Sequence, residues 1–196
     1  MSSESTHVTL IHCMRKLLRE RSIDSITVSD ICESAHIGRR TFYRYYSDKY
    51  ELMKEVVFNH MYHRLDIKEN DTQWDVIEKC CRLMYDERAF FSHAYESKGQ
   101  NGFWEEAVAF MIPFAMREYP QSGYLSDKSM ELITASVYTM MHLTEKWIKD
   151  GFKTDPETFC RESRHAFAIF SKWLYQSAMG KKIEKVSEQQ LLDGTW

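Results

Sequence analysis

Basic and hydrogen-bonding side chains are concentrated in one short stretch of the chain. Arg39, Arg40, Tyr43 and Arg44 recur at helical spacing, so a short helix would carry them on one exposed face. Such a helix fits the major groove of DNA, where arginine pairs with guanine O6 and N7. The pattern therefore indicates DNA recognition, although a solvated helix hairpin would show the same residues.

The elements that would position this face have the layout of a helix-turn-helix. Thr27 can cap a helix in which Asp30 is the third residue, where an acidic side chain favours the unpaired N–H groups. Apolar residues at helical spacing give this helix a buried face that ends near Ala35. Ile37 and Gly38 form a tight turn, and a third helix is predicted over residues 39–45.

Residues 27–52 resemble the N-terminal domain of the TetR/AcrR family of bacterial transcriptional regulators. The family pattern begins with a Thr-led helix and places an Ala before the turn. It continues with Thr-Phe/Leu-Tyr-x-Tyr/His-Phe/Tyr, a short spacer, a lysine and an acidic-Leu pair. The chain matches nearly all of it in Thr41-Phe42-Tyr43-Arg44-Tyr45-Tyr46 and Lys49-Tyr50-Glu51-Leu52. It departs at Gly38, where the family often has Ser, and at Tyr50, where Glu is usual.

The resemblance implies a set of DNA contacts. Thr27 resembles the residue that caps helix two and touches a phosphate, and Lys49 resembles the lysine that contacts a phosphate at the start of helix four. Arg39 and Arg40 occupy the first turn of the recognition helix, and Phe42 faces the core. The predicted DNA-binding residues are Thr27, Gly38, Arg39, Arg40, Thr41, Tyr43, Arg44, Tyr45 and Lys49.

Composition supports an all-α protein with a local basic surface. Only 7 glycines and 3 prolines occur in 196 residues, too few for the many turns of a sandwich or barrel. The formal net charge is −3, so a DNA-binding surface must be local. The chain shows neither a signal peptide nor an apolar run long enough to span a membrane. Its 5 cysteines, an odd number, indicate reduced thiols and a cytoplasmic location.

Helical periodicity divides the chain into a head, a connector and a body. A helix-turn-helix head is predicted over residues 1–50, with a first helix at about 6–21. Helix four, at about 48–66, connects it to a helical effector-binding and dimerisation domain over 67–180. The helices of the body are predicted at 73–86, 88–97, 103–118, 127–149 and 156–178, and residues 181–196 form a polar tail.

The body carries two predicted sites. Stretches such as Lys146–Gly151 resemble, more loosely, the branch of the family that contains the dihydroxyacetone kinase regulator-like proteins, whose members can act with a protein partner. The effector is therefore an unidentified small molecule or a partner protein. Aromatic, Met and polar residues of a predicted effector pocket are Phe91, Tyr95, Phe103, Glu106, Phe110, Tyr138, Met141, His142 and Glu145.

Apolar faces on the last two long helices predict a two-fold homodimer, since they exceed what the core of one subunit needs. The predicted interface residues are Ile133, Val137, Met140, Phe167, Phe170 and Leu174. Such a dimer would present two recognition helices to a palindromic operator. The predicted function is a ligand-responsive transcriptional regulator, more often a repressor. The alternative is a DNA-anchored interaction protein or activator whose body binds a partner protein.

Other chemistry is weakly supported. The sequence contains no P-loop, dinucleotide glycine pattern, G-x-S-x-G elbow or H-E-x-x-H motif, so we predict neither an enzyme nor a cofactor. His60, His63 and Asp66 are three residues apart, but isolated helix histidines are commoner than metal sites, and we predict no metal. Cys80 and Cys81 are interpreted as ordinary helix residues rather than a redox switch.

Overall fold

A computed structural model describes residues 3–95, 103–117 and 127–180 of the chain. These ranges contain nine α-helices, one 3-10 turn and no β-strand, which confirms the all-α class. The head contains α1 (Ser3–Glu20), the 3-10 turn (Ile23–Ser25), α2 (Val28–Ser34), α3 (Arg39–Phe42) and the start of α4 (Lys49–Arg64). The body contains α5 (Gln73–Asp86), α6 (Arg88–Tyr95), α7 (Phe103–Arg117), α8 (Asp127–Lys149) and α9 (Pro156–Ala178). No helix within the described ranges is long and apolar enough to cross a membrane.

The head forms around large apolar side chains of its four helices. α1 packs against α4 and α2, and α2 packs against α3. Leu10, Met14, Ile31, Phe42 and Leu52 are completely buried where these helices meet. Burying such a side chain contributes about 1.5–3 kcal/mol to the stability of the fold. The apolar spacing seen in the sequence therefore fixes the position of α3 through Phe42.

Two helices end in Schellman motifs. After α2, the His36 N–H donates to the Glu33 carbonyl at 3.2 Å and the Ile37 N–H donates to the Cys32 carbonyl at 3.0 Å. His36 therefore has a φ of 53°, whereas Gly38 has a φ of −81° and caps α3 from extended backbone. The turn was predicted at Ile37 and Gly38, but its left-handed residue is His36. The second motif closes α8 at Gly151, which has a φ of 80°.

The body helices pack in pairs around the connector. α7 lies along α8, α5 packs on α9 and α7, and α6 contacts both α8 and α1. α6 therefore joins the body to the head. Trp147 anchors the end of α8: its ring stacks on Phe159 at 4.6 Å and its indole N–H donates to the Thr154 carbonyl at 3.0 Å.

The buried face of α8 corrects part of the predicted dimer interface. Ile133, Val137 and Met140 are buried inside their own subunit, and Val137 is only 1% exposed. They face the protomer's own core because α7 and α6 pack against this side of α8. The exposed side of α8 instead carries Leu132 and Tyr138. The periodicity correctly predicted an apolar stripe on this helix. The stripe packs against α7 and α6 of the same subunit rather than against a second subunit.

Candidate nucleic-acid interface and body cavity

The exposed side of α3 is held in place by one buried aromatic ring. Phe42 has no exposed surface, while its neighbour Tyr43 is 56% exposed and packs edge-on against the Phe42 ring at 5.4 Å. Arg40 and Arg44 are also exposed on this short helix and the turn that follows it. The helix is shorter than predicted, because the Arg44 and Tyr45 N–H groups bond to carbonyls three residues back. Arg40 and Tyr43 are three residues apart, and both are exposed.

The remaining basic side chains of this surface already have partners. The Arg39 guanidinium donates to the hydroxyl of Ser29 on α2. The Arg44 guanidinium lies 5.2 Å from the centre of the Tyr45 ring, a cation–π distance. Arg40 makes no hydrogen bond or ion pair with the described residues. Of the three arginines, Arg40 is therefore the one whose guanidinium is available to a base edge.

Thr27 forms a capping box with Asp30. The Thr27 hydroxyl accepts a bond from the Asp30 N–H at 3.2 Å, and the Thr27 N–H donates to Asp30 Oδ2 at 2.8 Å. The Thr27 N–H and hydroxyl hold the pKa of the Asp30 carboxyl below its ordinary value, and Arg21 lowers it further. Thr27 is exposed, so it can approach a phosphate while it caps α2.

Lys49 has a different environment from the one predicted. Its Nζ donates to the carbonyls of Ile23 at 2.8 Å, Asp24 at 3.2 Å and Ile26 at 2.7 Å. An ammonium group has three donors, and all three are used. The predicted phosphate contact by Lys49 therefore does not fit its geometry. Lys49 instead joins the start of α4 by hydrogen bonds to the segment of the 3-10 turn between α1 and α2.

A second set of contacts joins α4 to the head. The Tyr46 hydroxyl donates to Glu55 Oε2 at 2.8 Å, and the ring of His7 stacks on Tyr46 at 6.0 Å. His7 Nε2 also lies 2.9 Å from Glu55 Oε1. Burial raises the pKa of Tyr46, and the bond to Glu55 raises it further, so the phenol stays neutral. The start of α4 and the head are thus connected on two sides.

The body contains a partly open, apolar cavity of about 220 Å³ between α4, α5, α6, α7 and α8. Among the described residues, no side chain of Asp, Glu, Lys, Arg or His lines it. Four methionines contribute to the wall, and their flexible thioethers adapt to the shape of an occupant. The lining residues are Phe58, Asn59, Met61, Tyr62, Ile77, Cys80, Cys81, Met84, Tyr95, Ala107, Phe110, Met111, Met141 and Thr144.

The two cysteine thiols and the Tyr95 phenol of the cavity wall are neutral at physiological pH. Burial raises the pKa of the Cys80 thiol to about 12. The pKa of Cys81 is also raised, first by its hydrogen bond with Cys160 and then by burial. Burial likewise raises the pKa of Tyr95. The Thr144 hydroxyl donates to the Met140 carbonyl of its own helix at 3.0 Å. The cavity thus suits an uncharged, apolar molecule.

The structure places the predicted pocket residues in different environments. Tyr95, Phe110 and Met141 line the cavity. Phe91 is buried behind Tyr95, and Phe103 lies outside the residues whose side chains the structure describes.

The four remaining pocket residues do not line the cavity, so these assignments are corrected. Tyr138 is exposed, the His142 side chain is 76% exposed, Glu145 pairs with Lys149, and Glu106 pairs with Lys54 of α4 at 3.2 Å. Tyr138 and His142 lie on the side of α8 that faces away from α7.

Sequence reasoning missed the contributions of α4 and α5 to the cavity. Phe58 and Met61 on α4 and Cys80 and Met84 on α5 form much of the wall. Both helices contain apolar residues at helical spacing, a signal that indicates burial but does not distinguish a filled core from a cavity. Cys80 and Cys81 were interpreted as plain helix residues, and both line this wall.

An apolar stripe remains exposed on α9. Phe170 is 57% exposed and stacks on Trp173 at 5.7 Å, and Ile169 and Leu174 are exposed beside them. Two of the predicted interface residues, Phe170 and Leu174, belong to this α9 stripe. The third on α9, Phe167, is half-buried against Trp74 of α5. An exposed apolar patch of this kind indicates a protein contact.

The two histidines of α4 do not converge on one point. His60 is buried against Phe90 with its Nε2 2.9 Å from Glu87 Oε1, whereas His63 is exposed. The part of the chain that the structure describes contains no cluster of three or more His, Cys, Asp or Glu side chains able to hold a metal ion.

Comparison with known proteins agrees with this architecture. Residues 11–56 match the model of the "Bacterial regulatory proteins, tetR family", and residues 71–167 match that of a "Transcriptional regulator C-terminal region". The chain is 25% identical over 207 residues to the uncharacterized HTH-type transcriptional regulator YxbF of Bacillus subtilis (strain 168). That alignment covers 96% of the chain but spans only about half, 51%, of the length of this curated relative.

Solved structures share the fold at lower identity. The dihydroxyacetone kinase operon activator DhaS has a TM-score of 0.56 and 17% identity, over 82% of this chain and 93% of that one. A TetR transcriptional regulator from Streptococcus agalactiae 2603V has a TM-score of 0.55 and 19% identity, over 82% of this chain and 92% of that one. NalD of Pseudomonas aeruginosa is the secondary repressor of the MexAB-OprM multidrug efflux pump. It has a TM-score of 0.53 and 14% identity, over 83% of this chain and 94% of that one. With the helix-turn-helix of α2 and α3, the matches to the two family models show that the chain belongs to the TetR family of transcriptional regulators.

Proposed function

We propose that the chain is a non-enzymatic repressor that binds a palindromic operator as a homodimer and releases it when an uncharged apolar molecule fills the body cavity. The observation that carries this proposal is the cavity itself, since one of its walls is the helix that enters the head. A ligand in that position contacts the element whose movement reorients α3.

Sequence-specific binding is assigned to Arg40 and Tyr43. Both are exposed on a helix short enough to enter the major groove, and the Arg40 guanidinium makes no hydrogen bond or ion pair with the described residues. Thr27 and Thr41 flank this face and are assigned to the phosphate backbone, where contacts fix register without reading sequence. Arg39 and Arg44 support these contacts from their positions against Ser29 and Tyr45.

The dimer is assigned to the α9 stripe together with the exposed side of α8. Leu132 and Tyr138 provide apolar surface on α8, and Phe170, Trp173 and Leu174 provide it on α9. A two-fold contact through these faces covers apolar surface that water otherwise wets. It also presents two copies of α3 to successive major grooves of a palindromic site.

Coupling between ligand and DNA is assigned to α4. Its first residue, Lys49, is bonded to three carbonyls of the head, and Phe58, Met61 and Tyr62 line the cavity nearer its other end. About ten residues, or roughly 15 Å of helix, separate the two ends. A ligand that shifts the cavity end of α4 therefore moves the head with it, and the spacing between the two heads of the dimer changes.

The test uses two alanines of α7. Ala107 lines the cavity, whereas Ala109 is exposed on the same helix, so Ala107→Phe fills the cavity and Ala109→Phe is the matched control. A thermal-shift screen of uncharged hydrophobic compounds no larger than the 220 Å³ cavity identifies a ligand. That ligand should weaken operator binding by the wild type and Ala109→Phe, and should have no effect on Ala107→Phe.

The outcomes separate the two candidate functions. If both variants respond to the ligand as the wild type does, the cavity is not the effector site. The interaction-protein alternative is favoured if no neutral compound raises the melting temperature and the purified protein is a monomer. In a monomer no second copy covers the α9 stripe, so a partner protein would have to do so.

A further inference from the structure

A second cleft lies outside the body cavity, between α1 and α4. It has a volume of about 580 Å³ and is open to solvent. From α1 it is lined by Val8, Ile11, Arg15 and Arg19, which repeat at helical spacing along one face of the helix. Val8 is 60% exposed, so apolar surface is available at one end of the cleft and guanidinium groups at the other.

The α4 wall adds a buried imidazole and another guanidinium. His60 is buried, and its Nε2 lies 2.9 Å from Glu87 Oε1. Arg64 lies beside it in the same cleft.

The balance of charge in the cleft is positive. Glu87 is an acidic group at its basic end, and it forms ion pairs with Arg19 at 3.5 Å and with Arg64 at 3.6 Å. Arg15 is half-buried and makes no hydrogen bond or ion pair with the described residues. Among the described residues, this end of the cleft therefore has three guanidinium groups and the Glu87 carboxylate, and Glu55 at the far end pairs with His7.

We propose that the cleft between α1 and α4 binds an organic anion, with its carboxylate or phosphate on Arg15, Arg19 and Arg64 and its apolar part on Val8 and Ile11. The ligand would bridge the first helix of the head and the connector. This site is independent of the apolar body cavity, where none of the described lining residues is charged. Asn59 lines both spaces, so the two sites adjoin each other.

The test measures binding of octyl phosphate by isothermal titration calorimetry, with inorganic phosphate and octan-1-ol as separate probes. Octyl phosphate should bind once per chain, more tightly than inorganic phosphate or octan-1-ol. Arg15→Gln should weaken it about tenfold or more, since a charge-assisted hydrogen bond is lost. Lys16→Gln removes the same charge from an exposed neighbour outside the cleft and should leave the affinity unchanged.

Three results would overturn the proposal. The first is that octyl phosphate binds Arg15→Gln and Lys16→Gln with equal affinity. The second is that octan-1-ol binds the wild type as tightly as octyl phosphate does. The third is that octyl phosphate does not bind the wild type. Ala107→Phe separates this site from the body cavity, because filling the cavity should leave octyl phosphate binding intact. Loss of octyl phosphate binding in Ala107→Phe would place the anion in the body cavity and refute the cleft.

Discussion

Replacing Lys49 by methionine should destabilise the head without removing a DNA contact. The substitution keeps the length of the side chain but removes all three donors that bond to the carbonyls of Ile23, Asp24 and Ile26. The bonds to Ile23 and Ile26 are short and partly buried, and each is worth about 1.5 kcal/mol as a charge-assisted bond. The Asp24 bond is exposed and 3.2 Å long, so it adds little. We therefore expect a loss of about 3 kcal/mol.

Two measurements check this prediction. For a chain of this size, 3 kcal/mol lowers the melting temperature by roughly 6–12 °C, which a thermal scan by circular dichroism detects. The second is the salt dependence of binding to a random-sequence duplex. Since the three Nζ donors of Lys49 are bonded to carbonyls, the slope of log K against log salt should match that of the wild type.

A matched control makes the interpretation specific. Lys16→Met removes a charge from an exposed position of α1 and should leave the melting temperature unchanged. The reasoning is refuted if Lys49→Met keeps the wild-type stability and reduces the salt slope by about one per half-site, because that combination identifies a phosphate contact.

Three further predictions concern a helix cap, acid stability and the subunit contact. Gly38→Ser should stabilise the head by a few tenths of a kcal/mol in urea titrations, since Gly38 caps α3 from extended backbone and no atom lies within 4 Å of the added Cβ. The side-chain and backbone bonds of Thr72 hold the pKa of Asp75 below its ordinary value of 3.8. The stability that Asp75 contributes is therefore present above that value and lost as pH falls through its lowered pKa. Asp75→Asn should flatten the decline of the urea midpoint below about pH 4. Phe170→Glu should give a folded monomer by light scattering, whereas Val137→Glu should unfold the chain; a dimeric Phe170→Glu would exclude the α9 stripe from the interface.

The helices that the sequence predicted best are those with explicit caps. α5, α8 and α9 have the predicted boundaries, because a Thr72–Asp75 capping box, the Asp155–Pro156 pair and Gly151 are local signals. α3 ends at Phe42 rather than at residue 45, since the residues after it turn with three-residue hydrogen bonds instead of continuing the helix. Propensity alone does not distinguish these two outcomes.

The functional sites depend on tertiary packing that local pattern does not encode. The stripe through Val137 was correctly predicted as apolar, but only the position of α7 and α6 decides that it is core. His142 was placed in the pocket because it interrupts an apolar helix, and it lies on the solvent side. Lys49 matches a family lysine in sequence, yet three carbonyls brought close by the 3-10 turn take up its donors.

The central claim is that the exposed face of α3 reads DNA sequence through Arg40. The direct measurement selects an operator from random DNA with the wild-type protein. It then compares Arg40→Ala on that operator and on a random-sequence duplex, with the exposed body residue Lys153→Ala as control. Loss of a base contact should cost about 1–3 kcal/mol on the operator, with a much smaller loss on random DNA and no change for Lys153→Ala. Equal losses on the operator and on random DNA would contradict the account, because Arg40 would then contact only the backbone.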